Sequence, residues 1–127
     1  SKKVQLRQSP TLALCSVDPF RMEQVFRNLF ENALVVAPNQ SVIEVSVESV
    51  QIHKKPAIQI MIQDQGPGFS EGQDSKVFDP FYTTRTRGTG LGLAITRRII
   101  EAHGGTITAR NASQGGAEIV LVLPIQE

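Results

Sequence analysis

One aspartate and two asparagines carry the sharpest chemistry in this sequence. Asp64 follows a run in which Ile58, Ile60 and Ile62 share one face, so strand alternation turns its carboxylate toward the apolar side. An unpaired carboxylate there is costly, so it requires a partner. An acceptor-only group at the mouth of an apolar pocket suits the exocyclic amine of adenine. Guanine would present an oxygen there and be repelled. A hydrogen bond to a charged group contributes about 1.5–3 kcal/mol. Read alone, Asp64 serves equally well as a cap on the turn that follows. Gly66 and Gly68, on either side of Pro67, weigh toward a ligand, because glycine permits positive φ and close approach of backbone to a flat ring. Gly-Pro-Gly is also ordinary turn chemistry.

Asn28 and Asn32 are four residues apart and so lie on one side of a helix. Asparagine is a poor helix former, and two of them in mid-helix call for a reason. A neutral amide oxygen can ligate Mg²⁺ while phosphates supply the charge and water completes the octahedron. The rival reading is that both bond to neighbouring backbone. Gly88, Gly90 and Gly92 precede or open a second helix, where bare N–H groups form an anion site. Arg85 and Arg87 stand just before them. They are long enough to reach a γ-phosphate and equally placed to be solvated loop charges.

The elements that must position these groups are legible. Residues 4–8 and 12–17 read as short strands. Asp18 and Pro19 give a helix start, with Asp as N-cap and Pro at the first helical position. Apolar residues then recur at Met22, Val25, Phe26, Leu29, Phe30, Ala33, Val36 and Ala37, which is helical spacing stopped at Pro38. From Ser41 the period becomes two, and Ile43, Val45 and Val47 alternate with polar residues to leave one wet face. A polar turn around residues 53–56 leads to the strand that carries Asp64, so the two form a hairpin. Residues 65–87 read as loop with one short helical turn, in which Phe78, Phe81 and Tyr82 anchor by packing. A second helix over residues 90–102 packs through Leu91, Leu93 and Ile95, and Gly104-Gly105 stops it. Strands near 106–111 and 117–123 follow, the last with Ala117, Ile119, Leu121 and Leu123 on one face. The sum is an α+β two-layer sandwich, a mostly antiparallel mixed sheet with helices on one face.

At 127 residues the chain makes one domain with a single core of ordinary size, residues 1–127 together. Hydrophobic residues are 40% and charged residues 20%, a folded and not a disordered composition. The net charge is +1, so no strong field draws the chain to nucleic acid or to anionic membrane, and anion binding must be local. A single cysteine, Cys15, excludes a disulfide framework and reads as a small core residue. His53 falls in a turn beside lysines, and His103 at a helix end where it favours the dipole. Neither stands on a helix before Glu or Asp as a phosphoacceptor would. There is no Cys/His metal cluster, no secretory leader pattern, and no apolar run near the roughly twenty residues that span a membrane. The abrupt opening on Ser-Lys-Lys suggests a piece of a longer protein.

Four segments occur in fixed order: NLFEN at 28–32, DQGPG at 64–68, FDPF at 78–81 and GTGLGL at 88–93. In this order they resemble the N, G1, F and G2 boxes of the catalytic and ATP-binding domain of bacterial sensor histidine kinases. That family belongs to the superfamily, with the Bergerat fold, that includes gyrase B, the heat-shock chaperone ATPase and the mismatch-repair ATPases. The resemblance covers residues 12–124, and the run FDPFYTTR before GTGLGL is closest to short-lid kinases such as the nitrogen-regulation sensors.

The resemblance implies a set of roles. Asn32 would hold Mg²⁺, and Asn28, Asn32 and Arg85 would serve catalysis. Asp64, Gly66 and Gly68 would hold adenine. Phe81, Thr83, Thr84, Arg85, Gly88, Thr89, Gly90, Leu91, Gly92 and Leu93 would line or close over the nucleotide with the asparagines. ATP would then donate its γ-phosphoryl to a histidine on separate dimerisation helices, which pass it to a response-regulator receiver domain, all in the cytoplasm. The superfamily's ATPases carry a glutamate at the Asn28 position to orient water. An amide is a poor base, so transfer is favoured over hydrolysis. Two positions depart from the pattern. Val35 and Val36 replace a lysine and an aromatic, a contact Arg85 would take over, and Ala117 replaces a threonine. Two rivals remain: a serine kinase of the anti-sigma type, which usually carries glutamate at the Asn28 position, and a degenerate nucleotide- or partner-binding module without catalysis.

Overall fold

A computed structural model describes residues 3–8, 19–36, 42–74, 76–79, 92–113 and 115–124. Five strands and two helices follow the chain as β1 (Lys3–Gln8), α1 (Pro19–Val36), β2 (Val42–Ile52), β3 (Lys55–Gln63), α2 (Gly92–Ala102), β4 (Thr106–Asn111) and β5 (Ala117–Pro124). The sheet order is β1-β2-β3-β5-β4. β1 runs parallel to β2, and the other three pairings are antiparallel. A parallel pair needs a crossover, and α1 lies within it. The expected mixed, mostly antiparallel sheet is the one observed. The strand expected at 12–17, Cys15, Ala37 and Tyr82 lie outside the described residues.

The periodicities explain which face is buried. Met22, Val25 and Leu29 form the buried stripe of α1, at the i, i+3, i+7 spacing of one helix face. They meet Ile43, Val45, Ile62, Ile107, Ile119, Leu121 and Leu123 of the sheet and Ile99 and Ile100 of α2 in one core. The β2–β3 turn is tighter than its polar composition suggested. His53 and Lys54 both take positive φ, 49° and 67°, the pattern of a two-residue hairpin turn built without glycine or asparagine. α2 ends in a Schellman motif, with Gly104 N–H donating to the Glu101 carbonyl and Gly105 N–H to the Ile100 carbonyl, both at 3.0 Å. His103 places Nδ1 2.8 Å from the Ile99 carbonyl at the same helix end.

One packing expectation is corrected. Ile95 does not pack α2 onto the sheet; it is exposed, and the buried positions are Thr96, Ile99 and Ile100, with Leu93 half-buried against the core. At 100° per residue, the face through 93, 96 and 100 excludes 95. The outer face of the sheet is also drier than simple alternation predicts. Glu118 and Val120 are buried there, on the interior strand β5. Arg110 reaches across from β4, donating from Nε to Glu118 at 2.6 Å and from Nη2 to the Met61 sulfur at 3.7 Å. Its stem roofs that part of the strand while its charge stays near water.

Candidate nucleotide site

The end of β3 is where the sheet gives way to the site. Asp64 N–H still donates to the Ala117 carbonyl at 2.9 Å, so pairing with β5 continues one residue past the strand. The Asp64 side chain is buried, and its Oδ1 accepts from two backbone donors, Gly66 N–H at 2.8 Å and Ala117 N–H at 3.1 Å. The capping reading of Asp64 therefore holds for one of its oxygens. One oxygen caps the following turn and pins the neighbouring strand. Both of these bonds land on Oδ1, which leaves the acceptor capacity of Oδ2 for a ligand. Among the described residues no buried side-chain polar atom lacks a partner.

The segment after Asp64 is held on three sides. Gln65 accepts through Oε1 from Val42 N–H at 3.0 Å, tying it to the start of β2. Asn111, at the end of β4, accepts from Phe69 N–H at 2.6 Å and donates to the Phe69 carbonyl at 2.9 Å. Gly68 has a φ of 77°, and a Cβ there would lie 2.7 Å from Asn111 Oδ1. Its lack of a side chain serves this protein contact as well as any approach to a ligand. The tightest approach is at Gly116, whose φ is 87°; a Cβ there would stand 2.0 Å from the Asp64 carbonyl oxygen. Thus the β4–β5 turn lies flush on the backbone of Asp64. Ala112 N–H donates to the Gly116 carbonyl at 3.0 Å to close that turn. Residues Gln65, Asn111 and Gly116 were not anticipated. The Gly115-Gly116 doublet before an apolar strand was the available signal for the last of them.

The helices supply the other half. Asn28 is half-buried on α1, and its Nδ2 donates to Thr96 Oγ1 on α2 at 3.4 Å. Thr96 has no exposed surface. This places the first asparagine of the 28–32 segment against the helix that Gly92 opens. Asn32 lies one turn further along α1, and its side chain is outside the described set. Phe81, Thr83, Thr84, Arg85, Gly88, Thr89, Gly90 and Leu91 also lie outside the described residues, as does Arg87. The expected helical turn between Gly66 and the lid is present. Val77 N–H donates to the Gln73 carbonyl at 3.1 Å, and Val77 and Phe78 are both buried. The Arg97 guanidinium of α2 sits 5.9 Å from the centre of the Phe78 ring, a cation–π contact.

A hollow of about 250 Å³ is lined by Glu44, Gln63, Gln65, Gly66, Gly115 and Gly116. Glu44 pairs with Gln63 on the outer face of the sheet, so this space lies behind Asp64 and is not the adenine pocket. No group of three or more His, Cys, Asp or Glu side chains suited to a metal occurs among the described residues. Nor is any described helix long and apolar enough to cross a membrane.

Comparison with known proteins agrees with this geometry. Residues 17–127 match the family model of histidine kinase-, DNA gyrase B- and HSP90-like ATPases. The chain belongs to that family. It is 36% identical over 126 residues to the sensor histidine kinase ZraS of Escherichia coli O157:H7, covering 98% of this chain and 27% of that protein. Similarity to sporulation kinase E of Bacillus subtilis is 34% over 110 residues, covering 87% of this chain and 14% of the kinase. The chain thus spans about a quarter or less of these relatives. Among solved structures, the mycobacterial sensor histidine kinase MprB superposes with a TM-score of 0.85 at 25% identity, over 98% of this chain and 83% of that one. The catalytic domain of histidine kinase ThkA gives 0.84 at 30% identity, over 98% and 79%. The domain is therefore an ATP-binding catalytic domain of the sensor histidine kinase type, and its α+β fold is the fold of those catalytic domains.

Proposed function

We propose that this domain binds Mg-ATP and hands its γ-phosphoryl group to a histidine on separate dimerisation helices, which pass it to a response-regulator receiver domain. The observation that carries this reading is Asp64. It is a buried carboxylate at a strand end, held by two backbone N–H groups on one oxygen and so oriented before any ligand arrives. Preorganised acceptors lose little on binding, and the exocyclic amine of adenine is a donor that suits an acceptor-only group here.

In this reading Asp64 accepts from the exocyclic amine, and the backbone of Gly66 and Gly68 forms the floor beneath the ring. Asn32 would hold Mg²⁺, which supplies neutralisation of the phosphate charge when bound. A carboxamide oxygen is a suitable hard ligand for it. Asn28, anchored through Thr96, orients the phosphates from the same helix. Residues 83–90, with Arg85, close over them. Phosphoryl transfer needs positioning and charge stabilisation more than covalent chemistry from the protein, and these residues provide the first. With an amide at position 28 and no carboxylate there to orient water, the acceptor is a protein side chain and not water. The whole chain acts as one domain of a longer cytoplasmic or membrane-bound signalling protein. Its family relatives that carry the name sensor histidine kinase support this placement.

The test is calorimetric titration of the wild-type chain and of Asp64→Asn with ADP and GDP, with and without Mg²⁺. Selective ADP binding, strengthened by Mg²⁺ and weakened roughly 10- to 100-fold in Asp64→Asn, is expected. A folded chain that binds neither nucleotide would sink the proposal and leave the binding-module reading. Adding dimerisation helices in trans with labelled ATP then tests transfer, with label expected on their histidine and none on this chain.

A further inference from the structure

The base-binding segment does not hold itself in place. Residues 64–69 are fastened to the β4–β5 hairpin at both ends, although that hairpin lies more than forty residues downstream, as the separation of Asn111 and Phe69 by 42 positions shows. At the near end the contacts are the paired backbones of Asp64 and Ala117 and the carboxylate bond. At the far end they are one side chain. Asn111 meets Phe69 as a strand would, accepting its N–H at 2.6 Å and donating to its carbonyl at 2.9 Å. Its amide thus replaces the backbone ladder that β4 and this segment do not form. Asn111 Oδ1 also lies beneath Gly68, where there is no room for a Cβ.

We infer that Asn111 is a positioning residue for nucleotide binding: its paired bonds to Phe69 hold the Gly66–Pro67–Gly68 backbone at the height that the adenine ring requires. The inference rests on the nucleotide reading of this site and names a residue outside its ligand-contacting set. The amide presents an acceptor and a donor side by side, as the Phe69 N–H and carbonyl require. Aspartate keeps the acceptor and loses the donor, and alanine loses both. Ala117 sharpens the point. At the near end of the segment Ala117 contributes its backbone N–H and carbonyl, which any residue but proline supplies, whereas position 111 depends on its side chain.

The experiment compares the 127-residue wild type with Asn111→Ala, Asn111→Asp and, as a control, Arg110→Ala, which cuts the neighbouring pair to Glu118 and leaves the Phe69 bonds in place. Two quantities are read well below the unfolding midpoint: hydrogen exchange of the Phe69 amide without nucleotide, and the Kd for Mg-ADP. Asn111→Ala is expected to expose the Phe69 amide to exchange and raise the Kd about tenfold, the loss of roughly one good hydrogen-bonded pair. Asn111→Asp should fall between alanine and wild type in both, and Arg110→Ala should match wild type in both. Unchanged Phe69 exchange in Asn111→Ala would overturn the inference. So would an unchanged Kd beside exposed exchange, or an equal loss of affinity in Arg110→Ala, which would mark a general effect of hairpin stability. If wild type binds no ADP, the functional reading fails. The exchange of Phe69 then still decides whether Asn111 holds the segment.

Discussion

The two ends of the candidate site are built from different materials. At the proposed adenine end, every described bond has a backbone group on at least one side, from Asp64, Gly66, Phe69 or Ala117 among others, and Gly68 and Gly116 make the room. At the proposed phosphate end, among the described residues, side chains on two helices meet, and Asn28 donates to Thr96 at 3.4 Å. A backbone cradle is stiff and tolerates few changes where it is crowded. A side-chain seam between helices adjusts by rotamer and by small helix shifts, at lower cost per change. The Asp64 end is therefore held more stiffly than the Asn28–Thr96 contact, where variation has more room to act.

Breaking this contrast most severely requires Gly116→Val. Positive φ and a Cβ close against the Asp64 carbonyl together cost about 3 kcal/mol, so the thermal midpoint should fall by roughly 10 °C. ADP binding should be lost with it. A variant of wild-type stability would show that the cradle yields as readily as the seam. Next in size is Asp64→Asn. Its amide oxygen can still accept from Gly66 and Ala117, so folding is kept, while the Kd for ADP rises roughly 10- to 100-fold, the worth of a charged hydrogen bond. Calorimetry alongside a thermal scan separates the two effects.

Thr96→Val probes the other end. It removes one acceptor of the Asn28 amide inside the helix seam at almost constant volume, and costs about 1 kcal/mol. The affinity for Mg-ATP should drop about fivefold. AMP, which leans on the base end, should bind as before; an equal loss for both nucleotides would mean that the ends are coupled. The smallest effect is expected at Glu23→Gln. Its pair with Arg27 at 2.7 Å has both side chains more than 60% exposed, and screening limits it to about 0.5 kcal/mol or less. Urea unfolding should show no shift beyond that, and nucleotide affinity should stay the same.

Much of this was legible in the chain itself, for identifiable reasons. The 3.6-residue stripe of Met22, Val25 and Leu29 and the alternation of Ile43 with Val45 are local signals, and the elements formed where they pointed. Asp64 stood out because a carboxylate broke an isoleucine face. The reading failed where a contact depends on register between distant strands. Nothing local to Asn111 says that Phe69 will stand opposite it, and nothing local to Thr96 says that Asn28 will come from another helix. Ile95 misled because hydrophobicity alone assigned it inward, whereas the angle of α2 on the sheet was fixed by Thr96, Ile99 and Ile100.

By itself the sequence determined the periods, the stops, the order of the four motifs and hence the family, because these depend on neighbours within a few residues or on residue type. Tertiary structure alone decided how Asp64 divides its two oxygens, which glycine is crowded and which side chain holds the 64–69 segment. Those outcomes depend on the β3–β5 and β4–β5 registers, the first of which brings Asp64 and Ala117, 53 positions apart, into hydrogen bonds of 2.9 and 3.1 Å. A hydrogen bond is decided over tenths of an ångström, and only the closed sheet sets distances that finely.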